Sequence, residues 1–152
     1  MVVTILKKLY LRDLANLRTE IELYRNEQKL WDTEGEITNS AGNLCLHLVG
    51  NLNAYIGEVL GNTGYVRNRP LEFSLRNVPR TELLKSIDDT IDMMAKTLDQ
   101  LNDDILDEEY PQIVAEGKVT TGYFLIHLSS HLMYHLGQIN YHRRLLDNDR
   151  NP

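Results

Sequence analysis

Apolar residues recur along this chain in steps of three and four, the period of an amphipathic helix, over four separate stretches. Val3, Leu6, Tyr10, Leu14, Leu17, Ile21 and Tyr24 define the first. Leu44, Leu48, Leu52, Tyr55 and Val59 define the second, opened near Ser40, an N-cap residue type, and stopped at Gly61, a C-cap type. Leu84, Ile87, Ile91, Met94, Leu98, Leu101 and Ile105 form a strict three-four alternation for the third, which follows Pro79 and can be capped by Thr81. The fourth begins after Thr120 and Thr121 and runs to about Leu146, carrying Leu125, Leu128, Leu132, Leu136 and Ile139. No sustained period-two stretch competes. The pattern predicts an all-α chain, a four-helix bundle with helices of about 20 to 27 residues.

The joints are uneven. Trp31 to Asn39 makes a short first connection, whereas Gly61 to Arg80 makes a long one between helices two and three. Connections of that length are usually functional or disordered. This one carries Tyr65, Leu71, Phe73 and Leu75, so it is expected to pack down on the bundle. It also holds Arg67, Arg69, Arg76 and Arg80, a cationic cluster in an acidic protein. Those arginines read either as salt-bridge partners of the acidic helices or as a site for an anionic ligand. A third joint runs from Asp107 to Thr120.

Composition narrows the class. With 152 residues, residues 1–152 are read as one domain able to bury its own core. There is no run of about 18 apolar residues, so no transmembrane helix is expected. The N-terminus sets apolar residues before Lys7 and Lys8, the reverse of a secretory leader. A net charge of −6 argues against a nucleic-acid binder, which needs a basic stripe. The single cysteine, Cys45, excludes an internal disulfide framework, suits a reducing cytoplasm and reads as a buried small hydrophobe. Cys45 lies two residues from His47, about 200° round a helix, so the two should not share a site.

The candidate chemistry is a histidine array on the fourth helix, His127, His131 and His135, at four-residue steps. Such steps stack side chains about 40° apart, so a pair of imidazoles can hold one metal ion. The arc borders the leucine stripe, and a buried imidazole without a partner costs roughly 1–3 kcal/mol. On the second helix His47 is flanked by Asn43 and Asn51, a polar strip that reads as one wall of a small cavity. His47, His131 and His135 could supply three nitrogens with a fourth position open, the pattern of a catalytic rather than a structural ion. Spacing alone leaves His127 with His131 as an equal alternative pair. His142, followed by Arg143 and Arg144, reads as a surface or interface residue, and Gly137 as a point of close helix approach.

The run His131-x3-His135-Leu136-Gly137-Gln138, with an upstream helical Asn43-Leu44-x-Leu46-His47-Leu48, resembles the DinB/YfiT-like family of four-helix metal-binding proteins over essentially the whole chain. The resemblance implies one ligand from helix two and two from helix four, His47, His131 and His135, because the family's last ligand directly precedes an x-Gly-Gln segment, matched here by Leu136-Gly137-Gln138. His127 and Asn51 are then candidates to support the ligands from behind, and His127 departs from the family pattern. The resemblance further implies a divalent transition metal, zinc or nickel first, and transfer of a low-molecular-weight thiol such as bacillithiol or mycothiol to an electrophile. Arg67, Arg69 and Arg76 would bind a carboxylate on thiol or substrate. It also implies a homodimer, for which the helix-three heptad and Tyr10 or Tyr24 offer surfaces. Metal-assisted hydrolysis ranks second, because Glu58 lies three turns from His47, roughly 16 Å along the axis. A non-enzymatic helical interaction protein with a structural metal or none is the third reading.

Overall fold

Each long helix forms where its apolar stripe can be buried, and side-chain caps set the starts of two of them. In the computed structural model, which describes residues 1–148, α1 spans Val2–Glu22 and a 3₁₀ turn spans Glu27–Trp31. Helix α2 spans Ala41–Leu52 and continues through a π-helical segment, Asn53–Glu58, into Val59–Gly61. A short α3, Arg69–Ser74, precedes α4, Arg80–Asp99, and α5 is Thr121–Leu146. The chain is all-α: the described residues contain no strand, only isolated bridges Glu109 to Thr120 and Val114 to Gly117 in the last connection. Ser40 caps α2 by accepting from Asn43 N–H at 3.2 Å, and Thr120 caps α5 by accepting from Tyr123 N–H at 3.2 Å.

Helix α1 packs along α4 and α5, and α2 packs along α5, α4 and α3. The core between them contains Leu14, Leu17 and Ile21 of α1, Leu48 and Leu52 of α2, Leu83 and Ile87 of α4, and Leu132 and Ile139 of α5. Burial of each such side chain contributes roughly 1.5–3 kcal/mol. No helix among the described residues is long and apolar enough to cross a membrane.

Several sequence expectations are corrected. The third stripe is displaced: Leu83 is fully buried and Leu84 only partly, with Thr90 and Thr97 completing the inner face. Thr90 can be buried because its hydroxyl donates to the Ser86 carbonyl at 2.7 Å and accepts from Asn53 Nδ2 at 2.9 Å. The heptad does not continue through Leu101 and Ile105. Helix α4 ends at Asp99, and Asn102 starts a separate 3₁₀ turn, Asp103–Asp107, by accepting from Asp104 N–H. Thr81 is not the cap of α4; Pro79 holds that position, and Arg80 N–H donates to Glu27 Oε1 at 2.6 Å.

Gly61 remains helical, and the left-handed residue that ends the segment is Asn62, at φ 49°. A Cβ on Gly61 would stand 2.5 Å from Thr97 Oγ1, so this glycine serves close approach to α4. Gly137 has no atom within 4 Å of a built Cβ, and no helix approaches it. Tyr10 and Tyr24 lie inside the core, which removes them as interface residues. The exposed large apolar residues of α5 include Tyr123, Ile126, Met133, Tyr134, Tyr141 and Leu145.

Candidate metal centre

The long connection after α2 folds back over it and decides the site. Asn43, buried on the first turn of α2, donates from Nδ2 to the carbonyls of Glu72 and Leu75, both at 2.9 Å. Arg76 donates to Asn43 Oδ1 at 2.9 Å and to the carbonyls of Phe73 and Leu75 at 2.8 and 2.7 Å. These bonds satisfy the C-terminal carbonyls of α3, which no helical N–H reaches. They pin α3 against α2 with Glu72 pointing inward and buried, while Leu71 and Leu75 stay exposed. The connection packs down, as its aromatic content suggests, but through its polar residues.

Glu72 meets His47 across a glycine. A Cβ on Gly50 would lie 2.0 Å from Glu72 Oε2, so only glycine admits the carboxylate there. Glu72 Oε1 is 3.0 Å from His47 Nδ1. Arg67 grips the same carboxylate with both ends of its guanidinium, Nε to Oε2 and Nη2 to Oε1, each at 2.8 Å. Burial pushes the Glu72 carboxyl up, but hydrogen bonds from Arg67 and His47 together with their charges outweigh it, and the group sits below its ordinary range. Glu72 is therefore an anion and can only accept, so His47 Nδ1 carries a proton, and in the neutral ring the lone pair is on Nε2. Arg67 Nη2 also comes within 3.4 Å of that Nδ1, but both are donors in this tautomer, so the contact is an approach and not a bond.

His135 is oriented in the same way, with Nδ1 donating to Gln138 Oε1 at 2.7 Å and Nε2 bare. Both bare nitrogens point at His131 Nε2, which is 3.2 Å from that of His47 and 3.1 Å from that of His135. The ligand atoms of the three all lie within 4.8 Å of one another. Two nitrogens each about 2.0–2.1 Å from one tetrahedral ion stand roughly 3.3 Å apart. Both separations from His131 thus fit a shared ion. Without a cation, a single N–H on His131 faces two lone pairs and can properly serve one.

Burial, then the neighbouring His135 and His47, depress His131 to about 4. His135 is lowered as well, by burial first and by His47, against the raising effect of Gln138. Neutral imidazole is the form a metal binds. A cluster of three histidines that could hold a metal ion is thus a feature of this fold.

A family model described as a protein of unknown function, DUF1572, matches residues 7–151. The chain belongs to the DUF1572 family. Neither a curated protein nor a solved structure matches it.

In this DUF1572 chain the other sequence candidates divide. His127 stays outside the trio, its ring stacked near Phe124 and Tyr123, with Nδ1 3.7 Å from Glu116 Oε1. Asn51 is buried beside the trio; its Oδ1 has no hydrogen-bond partner among the described residues. Arg67 and Arg69 line a cavity of about 210 Å³ with His47, His131, Asn51 and Glu116. The Arg69 guanidinium lies 5.1 Å over the Phe73 ring. Arg76 does not line that cavity, being occupied in holding α3. Arg80 Nη1 donates to the Glu22 carbonyl at 3.2 Å and ties α4 to α1.

Tyr55, also in the cavity wall, comes from the π-helical segment, where its carbonyl accepts from the Tyr110 hydroxyl at 2.7 Å. Such a wide turn is a frequent companion of functional sites. Glu58, from the same segment, is not among the clustered residues, and its Oε2 has no partner among the described residues.

His142 is a correction. It is buried, its Nδ1 paired with the Tyr24 hydroxyl at 2.7 Å and its Nε2 with the Asp32 carbonyl at 2.9 Å. Glu72 and Gly50 were missed from sequence. Gly50 was the available signal, since a glycine inside a helical run costs about 1 kcal/mol and asks for a packing reason.

Proposed function

We propose that this protein is a divalent-metal-dependent S-transferase of the DinB/YfiT-like kind, acting on a low-molecular-weight thiol and an electrophile. The observation that carries the reading is the convergence of three Nε2 atoms, two of them fixed by acceptors on the opposite ring nitrogen. His47, His131 and His135 would hold the ion, zinc or nickel first. When bound, such an ion supplies Lewis acidity that lowers the pKa of a thiol in its open position.

The chain's own residues do the rest. Glu72, held by Arg67, keeps the proton on His47 Nδ1 and makes Nε2 a better donor, the usual role of a carboxylate behind a ligating histidine. Arg69, at the cavity wall, offers positive charge to a carboxylate on the thiol. Cys45 is fully buried and burial pushes its thiol up to about 12, so the nucleophilic sulfur must arrive with a substrate. In the overall reaction sulfur bonds to the electrophilic carbon as the bond to the leaving group breaks. The leaving group departs with that electron pair and takes up the proton lost by the thiol. A reducing cytoplasm suits such a cosubstrate, and a second copy of the chain is the expected partner.

Glu116 favours hydrolysis as the second reading. It brings a carboxylate, with His127 beside it, into the cavity that His47 and His131 line. A carboxylate there could take a proton from water.

Tag-free protein purified without chelator, assayed by plasma mass spectrometry, tests the first step; about one equivalent of one transition metal is expected. Loaded protein incubated with panels of thiols and electrophiles then separates the readings. S-transfer consumes one thiol per product, whereas hydrolysis proceeds without any. Protein that takes up no metal after loading and removal of excess overturns both.

A further inference from the structure

Two cavities meet the histidine cluster along one face of α5. Phe124, His127, Leu128 and His131 contribute to the first, which also holds Arg67, Arg69 and Glu116. His135, Gln138, His142 and Leu145 contribute to the second, of about 530 Å³. Steps of three and four keep all eight residues on one side of the helix. The cavities therefore follow one another along α5, with the three histidines at the joint.

Their chemistries differ. The first carries charge and the unpartnered Asn51 oxygen. The second is walled by Ile37, Leu44, Tyr134, Tyr141 and Leu145. Two of its polar groups face inward partners: both ring nitrogens of His142 are bonded, and Gln138 Oε1 accepts from His135 Nδ1. Glu36 in the same wall disfavours an anion. A volume within the range of roughly 300–1,000 Å³ that holds small organic ligands completes the picture.

We propose that this second cavity binds a neutral apolar group, aromatic or branched hydrocarbon, and that it belongs to the electrophilic acceptor. This rests on the S-transferase reading for the acceptor's role, and on the cavity alone for the ligand's class. Tyr134, Tyr141 and Leu145 are 65%, 64% and 55% exposed, so a ligand there covers apolar surface that water otherwise wets. Tyr134, whose ring centroid is 5.2 Å from that of His135, sets the ligand beside the metal centre.

The test uses the full chain and a neutral fluorophore, N-phenyl-1-naphthylamine, titrated into metal-free protein. Saturable binding at one site is expected, weakened at least tenfold in Tyr141→Ala and in Leu145→Ala. Both side chains are more than half exposed, so both variants should fold. Ile126→Ala, on an exposed part of α5 outside either cavity, should bind as wild type. Loss of binding in Ile126→Ala as well, or no saturable binding in wild type, overturns the site. So does a dimer by sedimentation that Tyr141→Ala dissociates, since the cavity would then be filled by a second copy. 2-Phenylethanethiol, whose sulfur can reach the metal while its ring takes the acceptor's place, should displace the fluorophore from zinc-loaded protein at concentrations at least tenfold below those needed in metal-free protein. Equal potency with and without zinc, in protein shown to contain it, overturns the link to the metal centre. Protein that takes up no zinc but still binds the fluorophore defeats the S-transferase reading and leaves the apolar site standing.

Discussion

Glu72 Oε1 stands 3.0 Å from His47 Nδ1, on a helix that the sequence hides inside a long connection. That contact fixes which nitrogen of His47 is free, and so whether the three histidines can act together. Replacing Glu72 with Gln keeps the shape but removes the charge that Arg67 and His47 share. Carboxylates behind ligating histidines are worth about 10- to 100-fold in metal affinity. Glu72→Gln should lose that much in a competition titration against a chromophoric chelator. Gly50→Ala should do the same from the other side, because its new methyl meets Glu72 Oε2 at 2.0 Å. Unchanged affinity in both variants would remove Glu72 from the site.

Acid should weaken the metal-free fold. His131 lies near 4 in the native chain, and an unfolded histidine sits near 6.5. The unfolded state therefore binds more protons between those values, and stability falls as pH drops from about 6.5 toward 4. Above that window the contribution is fully present, and below it the curve levels. His135 and His142 are lowered too and add in the same direction. Urea unfolding of metal-free protein across pH 4 to 7.5 checks this. His131→Gln should flatten part of the slope, and an identical slope would refute the assignment.

Much of the bundle could be read from the apolar period, because the large core side chains of α1, α2 and α5 recur at helical steps. The displaced face of α4 could not, since Thr90 and Thr97 count as polar in any pattern and are buried only through bonds and contacts made elsewhere. The histidine trio was legible for the same reason as the helices: His131 and His135 share a face by spacing. Glu72 lies 25 residues from His47, and no local period reports a contact across that distance. His142 was misread because two neighbouring arginines suggested a surface, although its angle on the helix already pointed inward.

His47 and His142 should separate under mutation, although both are buried. His142→Gln disturbs the Tyr24 hydroxyl and the Asp32 carbonyl, and a buried polar group left unpaired costs roughly 1–3 kcal/mol. Its metal content should stay at the wild-type level. His47→Gln should reverse the pattern, abolishing tight metal uptake with a smaller loss of stability in metal-free protein. Denaturant melts and metal analysis on the same samples decide. Equal metal loss in both variants would mean that the ion, if bound, is not held by the trio.

Cys45 offers the sharpest check on where the reacting sulfur comes from. It is buried completely on α2, two residues before His47, and burial holds its thiol near 12, so almost no thiolate exists at neutral pH. A thiol reagent such as Ellman's should react with the native chain only as fast as the protein opens, and fully once urea unfolds it. Cys45→Ala removes one small sulfur from the core and should cost on the order of 1 kcal/mol. If the chain transfers an external thiol, that variant should keep the wild-type rate with metal and cosubstrate supplied. A rate that collapses in Cys45→Ala, in protein that still binds metal and stays folded, would mean that the chain uses its own sulfur. The imported-thiol reading would then fail, because a group this deeply buried could act only after α2 moved.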